Sequence, residues 1–337
     1  MRRFQCSFDH FSIAQITRKW TFHDTGAGKP FTIDPAGRTA SCISQAGANI
    51  GEIYKAFDNQ PTWIVGFAFM LQTGSDTNDL LGLWDGATIQ ISLRIDTNLK
   101  LRIYRGTTQL GISTNPVCTV GTWYHCQLKG TIDNVSGSYE ARINNVPVLS
   151  ASGVDTQNTA NAYANRVSFK APGASKYIKF DDVWMNDATG SRNNSFSGDE
   201  KIEARLANGN GATRNWLRSS GADDYSLINE VPADDDTGYL YSDAAAQLFT
   251  CPFQDLTSVG AIHAVQVLGC FRKDEAGTVI VAPVVRPTAT DYVGNDVSAP
   301  SAYDYSLCQI YEVNPETGNP FTAAEFNASE FGAKRTA

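Results

Sequence analysis

The stretch Ile89-Gln90-Ile91-Ser92-Leu93-Arg94-Ile95-Asp96 alternates apolar and polar side chains without a break. A period of two belongs to the strand alone, so this segment must be a half-buried β-strand with one wet face. Leu99, Leu101 and Ile103 resume the pattern after Asp96-Thr97-Asn98, which makes residues 87–105 a hairpin. Upstream, Trp63, Val65, Phe67, Phe69 and Leu71 form another inward row. Downstream come GTWYHCQLKGTID (121–133), YEARINNVPVL (139–149) and RVSFK (166–170). Asn144-Asn145 supplies the left-handed backbone of a tight turn. Helical periodicity is confined to SIAQITRKW (12–20), where Ile13, Ile16 and Trp20 fit one short face. Strands about ten residues apart with turn signals between them define an all-β chain of antiparallel sandwiches.

YIKFDDVWMND (177–187) echoes RFQCSFDHF (3–11), both aromatic runs centred on Phe-Asp. A first strand needs a neighbour or its edge stays open to stray pairing, so the second run is expected to lie beside the first and close the sheet. Asp181-Asp182 shifts the apolar phase from Ile178 and Phe180 to Val183 and Met185, which predicts a bulge. Domain one therefore covers residues 1–187. Residues 188–200, rich in Asn, Ser, Gly and Asp, read as a linker or a long connecting loop. A second β-sandwich follows over 201–337. Its clearest strand pair is AIHAVQVLGCFRK (261–273) with TVIVAPVVRP (278–287), joined by residues 274–277. Near the end, Thr322 and Glu325 form a capping box, with Phe321 and Phe326 at the staple positions of a short C-terminal helix.

Composition narrows the function classes. Of 337 residues 42% are apolar and only 18% charged, and 28 Gly with 13 Tyr suit a turn-rich β protein. Net charge is −8 and no Lys/Arg run occurs, so nucleic acid is not an expected partner. No stretch approaches the roughly 18 apolar residues of a membrane span. The N-terminus lacks the apolar run of a signal peptide, so folding in a cytoplasm is expected. The seven cysteines are scattered, without a CxxC pair. Cys6 and Cys126 alternate with apolar residues and read as buried thiols. Cys42 and Cys118 sit in turn-like contexts and are the candidates for exposure and an inter-subunit disulfide.

The order KWT, then GTWYHCQLKG with YEARINNVPVL, then FDDVWMND resembles the concanavalin A-like (laminin-G-like) jelly roll. Combined with INEVPADDDTGYLYS and YEVNPETGNPFTAAEFNASEFG, it is similar to tailed-bacteriophage virion proteins that carry such a domain. Tyr311 and Phe321 stand where that resemblance leads one to expect tryptophan. The resemblance implies a structural virion component at tail, neck, capsid surface or fibre. Its partners would be other copies of itself and other virion proteins, and it brings no catalytic residues with it.

Concanavalin-like sandwiches also include glycosidases, which need two carboxylates about 5–9.5 Å apart. No Glu-x-Asp-x-Glu row occurs, Asp181 and Asp182 are adjacent rather than alternate, and GxSxG is absent. The expectation is therefore a non-enzyme without a cofactor. Asp234, Asp235 and Asp236 form the most acidic run and are the main candidate Ca²⁺ site, with Asp85-Gly86 a similar weak case. His10, His23, His125 and His263 share no ligand spacing and read as ordinary strand residues. Aromatic side chains stack on sugar rings, and Trp84, Tyr104 and Trp184 are the candidates for such a platform. The leading expectation is a virion structural protein acting by assembly. The alternative is a module binding host surface polysaccharide, with a polysaccharide hydrolase third.

Overall fold

The computed structural model describes residues 1–29, 31–256 and 260–337, and nearly every regular element is a strand. The chain divides into two units, Met1–Asp9 with Trp20–Ile202, and His10–Lys19 with Glu203–Ala337. The segment His10–Lys19, expected in domain one, thus belongs to the second unit. It holds the anticipated helical turn as a 3-10 helix, Ile13–Arg18.

The first unit begins with β1 (Arg2–Cys6), β2 (Phe22–His23), β3 (Phe31–Asp34), β4 (Cys42–Gln45) and β5 (Glu52–Gln60). It continues through β6 (Thr62–Leu71), β7 (Asp79–Asp85), β8 (Thr88–Ile95), β9 (Leu101–Arg105) and β10 (Thr108–Ile112). It closes with β11 (Tyr124–Thr131), β12 (Gly137–Ile143), β13 (Val146–Val154), β14 (Ala164–Lys170) and β15 (Ile178–Asp187). One sheet runs β13-β12-β11-β6-β15-β4-β3, with β1 also on β15, and the other runs β10-β9-β8-β7-β14-β5-β2. All their pairings are antiparallel. The two sheets pack face to face through aromatic rings. Phe169 of β14 lies 5.2 Å from Phe67 of β6 and 5.4 Å from Phe180 of β15, centroid to centroid. Trp20, fully buried, adds its edge to Phe169 and its face to Phe8.

The echo resolves as pairing: Gln5 faces Trp184 and Cys6 faces Val183. The expected bulge is present, because the β15–β6 register slips between Asp181 and Trp184 and Asp182 adopts φ +49°. Asn144 and Asn145 take φ of +46° and +67°, turning β12 into β13. Residues 188–200 are not a free linker. Phe196 lies on the Arg142 guanidinium, Gly198 N–H donates to Gln127, and Glu200 pairs with Arg2, so this segment lies on the outer face of the eight-stranded sheet.

In the second unit come β16 (Leu217–Arg218), β17 (Leu240–Tyr241), β18 (Leu248–Pro252), β19 (Val265–Phe271) and β20 (Ile280–Arg286). Then follow β21 (Tyr292–Val293), β22 (Val297–Ser298), β23 (Asp304–Tyr311), helix α1 (Ala323–Ala328) and β24 (Glu330–Arg335). A five-stranded sheet, β18-β24-β20-β21 with β22 on β20, packs against the β19–β23 ribbon around Phe249, Val281, Leu307 and Ala333. The expected hairpin of 261–273 with 278–287 does not form. β19 pairs with β23, and β20 pairs with β24. Both runs are apolar enough to be central, and local spacing says nothing about which distant strand completes them. The capping box forms as read: Thr322 accepts from Glu325 N–H and Glu325 accepts from Thr322 N–H.

Candidate functional site

Period-two alternation gives the seven-stranded sheet a second face, turned away from Leu83, Leu93, Ile103 and Phe169. The register aligns Tyr104 (β9) with Ser92 (β8), Ser92 with Gly82 (β7), Gly82 with Ser168 (β14), Ser168 with Tyr54 (β5) and Tyr54 with Phe22 (β2). Aromatic residues thus stand at both ends of a floor of small residues.

Trp84 crosses that floor. The β7–β8 register slips between Leu83 and Trp84, which re-aims the side chain. Its Nε1–H donates to Ser168 Oγ at 2.7 Å. A Cβ at Gly82 would run into the indole nitrogen, so only glycine lets the ring lie there.

Cationic side chains line the rings. The Arg166 guanidinium lies 3.9 Å from the Tyr54 ring centroid and 4.7 Å from that of Trp84. Lys170 Nζ is 4.5 Å from Trp84, and Arg94 lies 4.0 Å over Tyr104. Arg166 pairs with Glu52 at 2.5 Å, Arg94 with Asp79 at 2.7 Å and Arg102 with Asp96 at 2.7 Å. Tyr54, Trp84 and Tyr104 are half-buried, while Phe22, stacked on Tyr54 at 5.0 Å, is exposed. The arrangement offers aromatic surface and fixed charged donors and acceptors on one sheet face, with Ser92 and Ser168 buried beneath them. That is the mixture that holds a hydroxylated ring.

Two of the three residues singled out in the sequence, Trp84 and Tyr104, share this face. The third does not. Trp184 is 0% exposed and lies over Gly66 on the outer face of the other sheet, beneath residues 196–202. It stacks on His125 at 6.2 Å, with Arg2 5.0 Å from its ring. A tryptophan closed in this way cannot present a platform. The sequence reading missed Tyr54, Phe22, Arg166 and Lys170. The signal was present in RVSFK, where Arg166, Ser168 and Lys170 alternate with Val167 and Phe169.

Beside Trp184 the covered face is polar. Both His125 ring nitrogens, Gln127 Nε2 and the Asn186 side-chain amide have no hydrogen-bond partner among the described residues. Burial holds His125 down to about 4. At the β15 bulge, burial and then the mutual charge of the two neighbours push Asp181 up to about 7, and burial pushes Asp182 up to about 6. Both carboxylates are engaged in holding the fold. Arg38 N–H donates to Asp181, Arg38 Nη1 is 3.2 Å from Asp182, and Ile202 N–H donates to Asp182 at 2.7 Å.

The acidic run of the second unit is not a cation cage. Asp235 pairs with Arg18 through both oxygens, at 2.6 and 2.7 Å. Asp236 takes Arg272 and the Tyr303 hydroxyl, each at 2.9 Å, and Asp234 accepts from Gly238 N–H. Adjacent carboxylates thus diverge to separate partners, which corrects the Ca²⁺ reading of Asp234, Asp235 and Asp236. Among the described residues no group of three or more His, Cys, Asp or Glu is arranged to hold a metal. Exposure of Cys42 and Cys118 is corrected as well: they are 0% and 4% exposed, and burial pushes both thiols up to about 12. The exposed thiol is Cys308.

No family model matches the chain, and no curated protein sequence matches it. Solved structures do. A sialidase is 11% identical over 54% of this chain with a TM-score of 0.42, and the chain spans 18% of that protein. The alginate lyase Aly36B is 14% identical over 53% of this chain and 92% of its own, with a TM-score of 0.39. A Trypanosoma rangeli sialidase is 15% identical over 48% of this chain and 29% of its own, with a TM-score of 0.34. The expectation of a non-enzyme is corrected here, because the solved structures similar to this chain include enzymes. At these identities and TM-scores the likeness assigns neither an activity nor a residue to this chain.

Proposed function

We propose that the first unit is a carbohydrate-binding module and that its ligand lies on the outer face of the seven-stranded sheet. The observation that supports this is the row Tyr104–Ser92–Gly82–Ser168–Tyr54 with Trp84 laid across it. A sugar ring has an apolar face of C–H groups and a rim of hydroxyls. Trp84, Tyr54 and Tyr104 suit the first, and the Arg, Lys and Asp side chains around them suit the second. Glu52 and Asp79 hold Arg166 and Arg94 in place, so few rotamers are left to freeze on binding. The reading as a phage virion component rests on the sequence resemblance, and the geometry of this face does not bear on it.

The test is a polysaccharide array probed with the intact chain, its Trp84→Ala variant and its Tyr104→Ala variant. The proposal expects at least one glycan bound by the intact protein and loss of about tenfold or more in either variant, a difference of about 1.4 kcal/mol. Binding that both variants retain would overturn it. Reducing-end and unsaturated-uronate release, read in the same wells, tests for turnover of the bound glycan.

A further inference from the structure

We infer that the sugar recognised on this face is acidic and that its carboxylate is received by Arg166 and Lys170 beside Trp84; the inference rests on the carbohydrate-binding reading above. The outer face carries Arg94, Arg102, Arg166 and Lys170 against Asp79, Asp96 and Glu52. Arg94 and Arg102 each have a carboxylate of their own. Arg166 and Lys170 share one: Glu52 takes Arg166 at 2.5 Å and is reached by Lys170 only at 3.5 Å. In a chain of net charge −8, these seven side chains therefore hold one cation in excess, and it lies beside Trp84.

The position of that excess matters as much as its sign. Lys170 Nζ is 4.5 Å and the Arg166 guanidinium 4.7 Å from the Trp84 ring centroid. A pyranose stacked on the indole brings its ring substituents within reach of both. Arg166 is braced between Tyr54 and Trp84, so its fork keeps its direction with Glu52 as its salt-bridge partner. A guanidinium and an ammonium side by side, both partly buried and sharing one carboxylate, are completed by a second carboxylate. A neutral sugar would leave the pair as it is. A cationic sugar would be repelled.

The experiment uses the intact chain and immobilised polysaccharides, half carrying uronic acids and half neutral, read by biolayer interferometry. Each polymer that binds is then measured again after chemical reduction of its carboxylates to alcohols, which removes the charge and keeps the backbone. The expected result is retention of acidic polymers, loss of about tenfold on carboxyl reduction, and weakening with added salt. The double variant R166Q/K170Q should lose about as much on the acidic polymer and nothing on its reduced form. Equal binding before and after reduction, with Trp84→Ala still abolishing it, would overturn the acidic assignment and leave the carbohydrate reading standing. No binding across the panel, or binding indifferent to Trp84→Ala, would overturn both. Because the reduction alters the polymer and not the protein, a poorly folding variant cannot decide the outcome.

Discussion

Trp84 donates its indole hydrogen to Ser168 across Gly82, so two neighbouring strands fix one ring over the sheet. The small residues are what make the ring available. A larger side chain at the central position would lift the indole and break its hydrogen bond.

Gly82→Ala should therefore impair binding as much as losing the ring does. Overpacking of this kind costs about 1–3 kcal/mol of stability. The checks are a denaturant titration of the first unit and the tryptophan emission, which should shift as the Trp84 indole leaves Ser168. Unchanged emission and unchanged binding would show that the floor does not set the ring.

The buried carboxylates predict a pH dependence. Asp181 and Asp182 hold protons more tightly folded than unfolded, so the stability they give is present at low pH and lost as pH rises through about 6 and 7. His125 acts in the opposite sense: held down to about 4, it removes stability as pH falls below its unfolded value near 6.5. At pH 6.5 the unfolded imidazole is still half protonated, so His125, and His23 which burial also lowers, oppose the carboxylate slope until about pH 7.5. Asp181→Asn keeps the histidine contribution and removes that of one bulge carboxylate, so the midpoint of denaturant unfolding of the intact protein should fall relative to that of the variant between about pH 6.5 and 8. A difference between the two that stays constant over this range would show that the bulge is not its source.

Phe169 joins the two sheets by touching Phe67, Phe180 and Trp20. Phe169→Ala should cost about 3–5 kcal/mol. In the second unit Thr322→Ala removes a helix cap and should cost about 1 kcal/mol. Separate unfolding of the two variants by urea checks both figures.

Thiol labelling of the native protein should modify Cys308 first, since it is exposed, and spare Cys6, Cys42, Cys118, Cys126 and Cys251, which are buried. Mass spectrometry of the labelled peptides decides it. Early labelling of Cys42 or Cys118 would contradict their burial.

Strand alternation made the first sandwich legible, down to the Phe-Asp pairing of β1 with β15 and the bulge at Asp181-Asp182. It could place Trp84 and Tyr104 on outer faces because each follows an inward apolar residue, Leu83 and Ile103. The same rule failed for Trp184. The outward position was right, yet residues 196–202 cover it, and a loop's resting place leaves no periodic trace in a sequence. The partners of β19 and β20 were misread for a related reason. Period two fixes which face is buried, while the choice of a neighbour strand depends on how the whole core closes. Tyr54 and Phe22 went unnoticed because their strands offer few apolar alternations, and only the register with Ser168 brings them to the site.

The most direct measurement is hydroxyl-radical footprinting of the chain with and without the polysaccharide it binds best. Aromatic side chains react readily, and Tyr177, Tyr239 and Tyr241 are exposed elsewhere as internal controls. The account predicts protection of Phe22, Tyr54, Trp84 and Tyr104 together, with the three control tyrosines unchanged. Protection of the controls while Trp84 and Tyr104 stay reactive would contradict it.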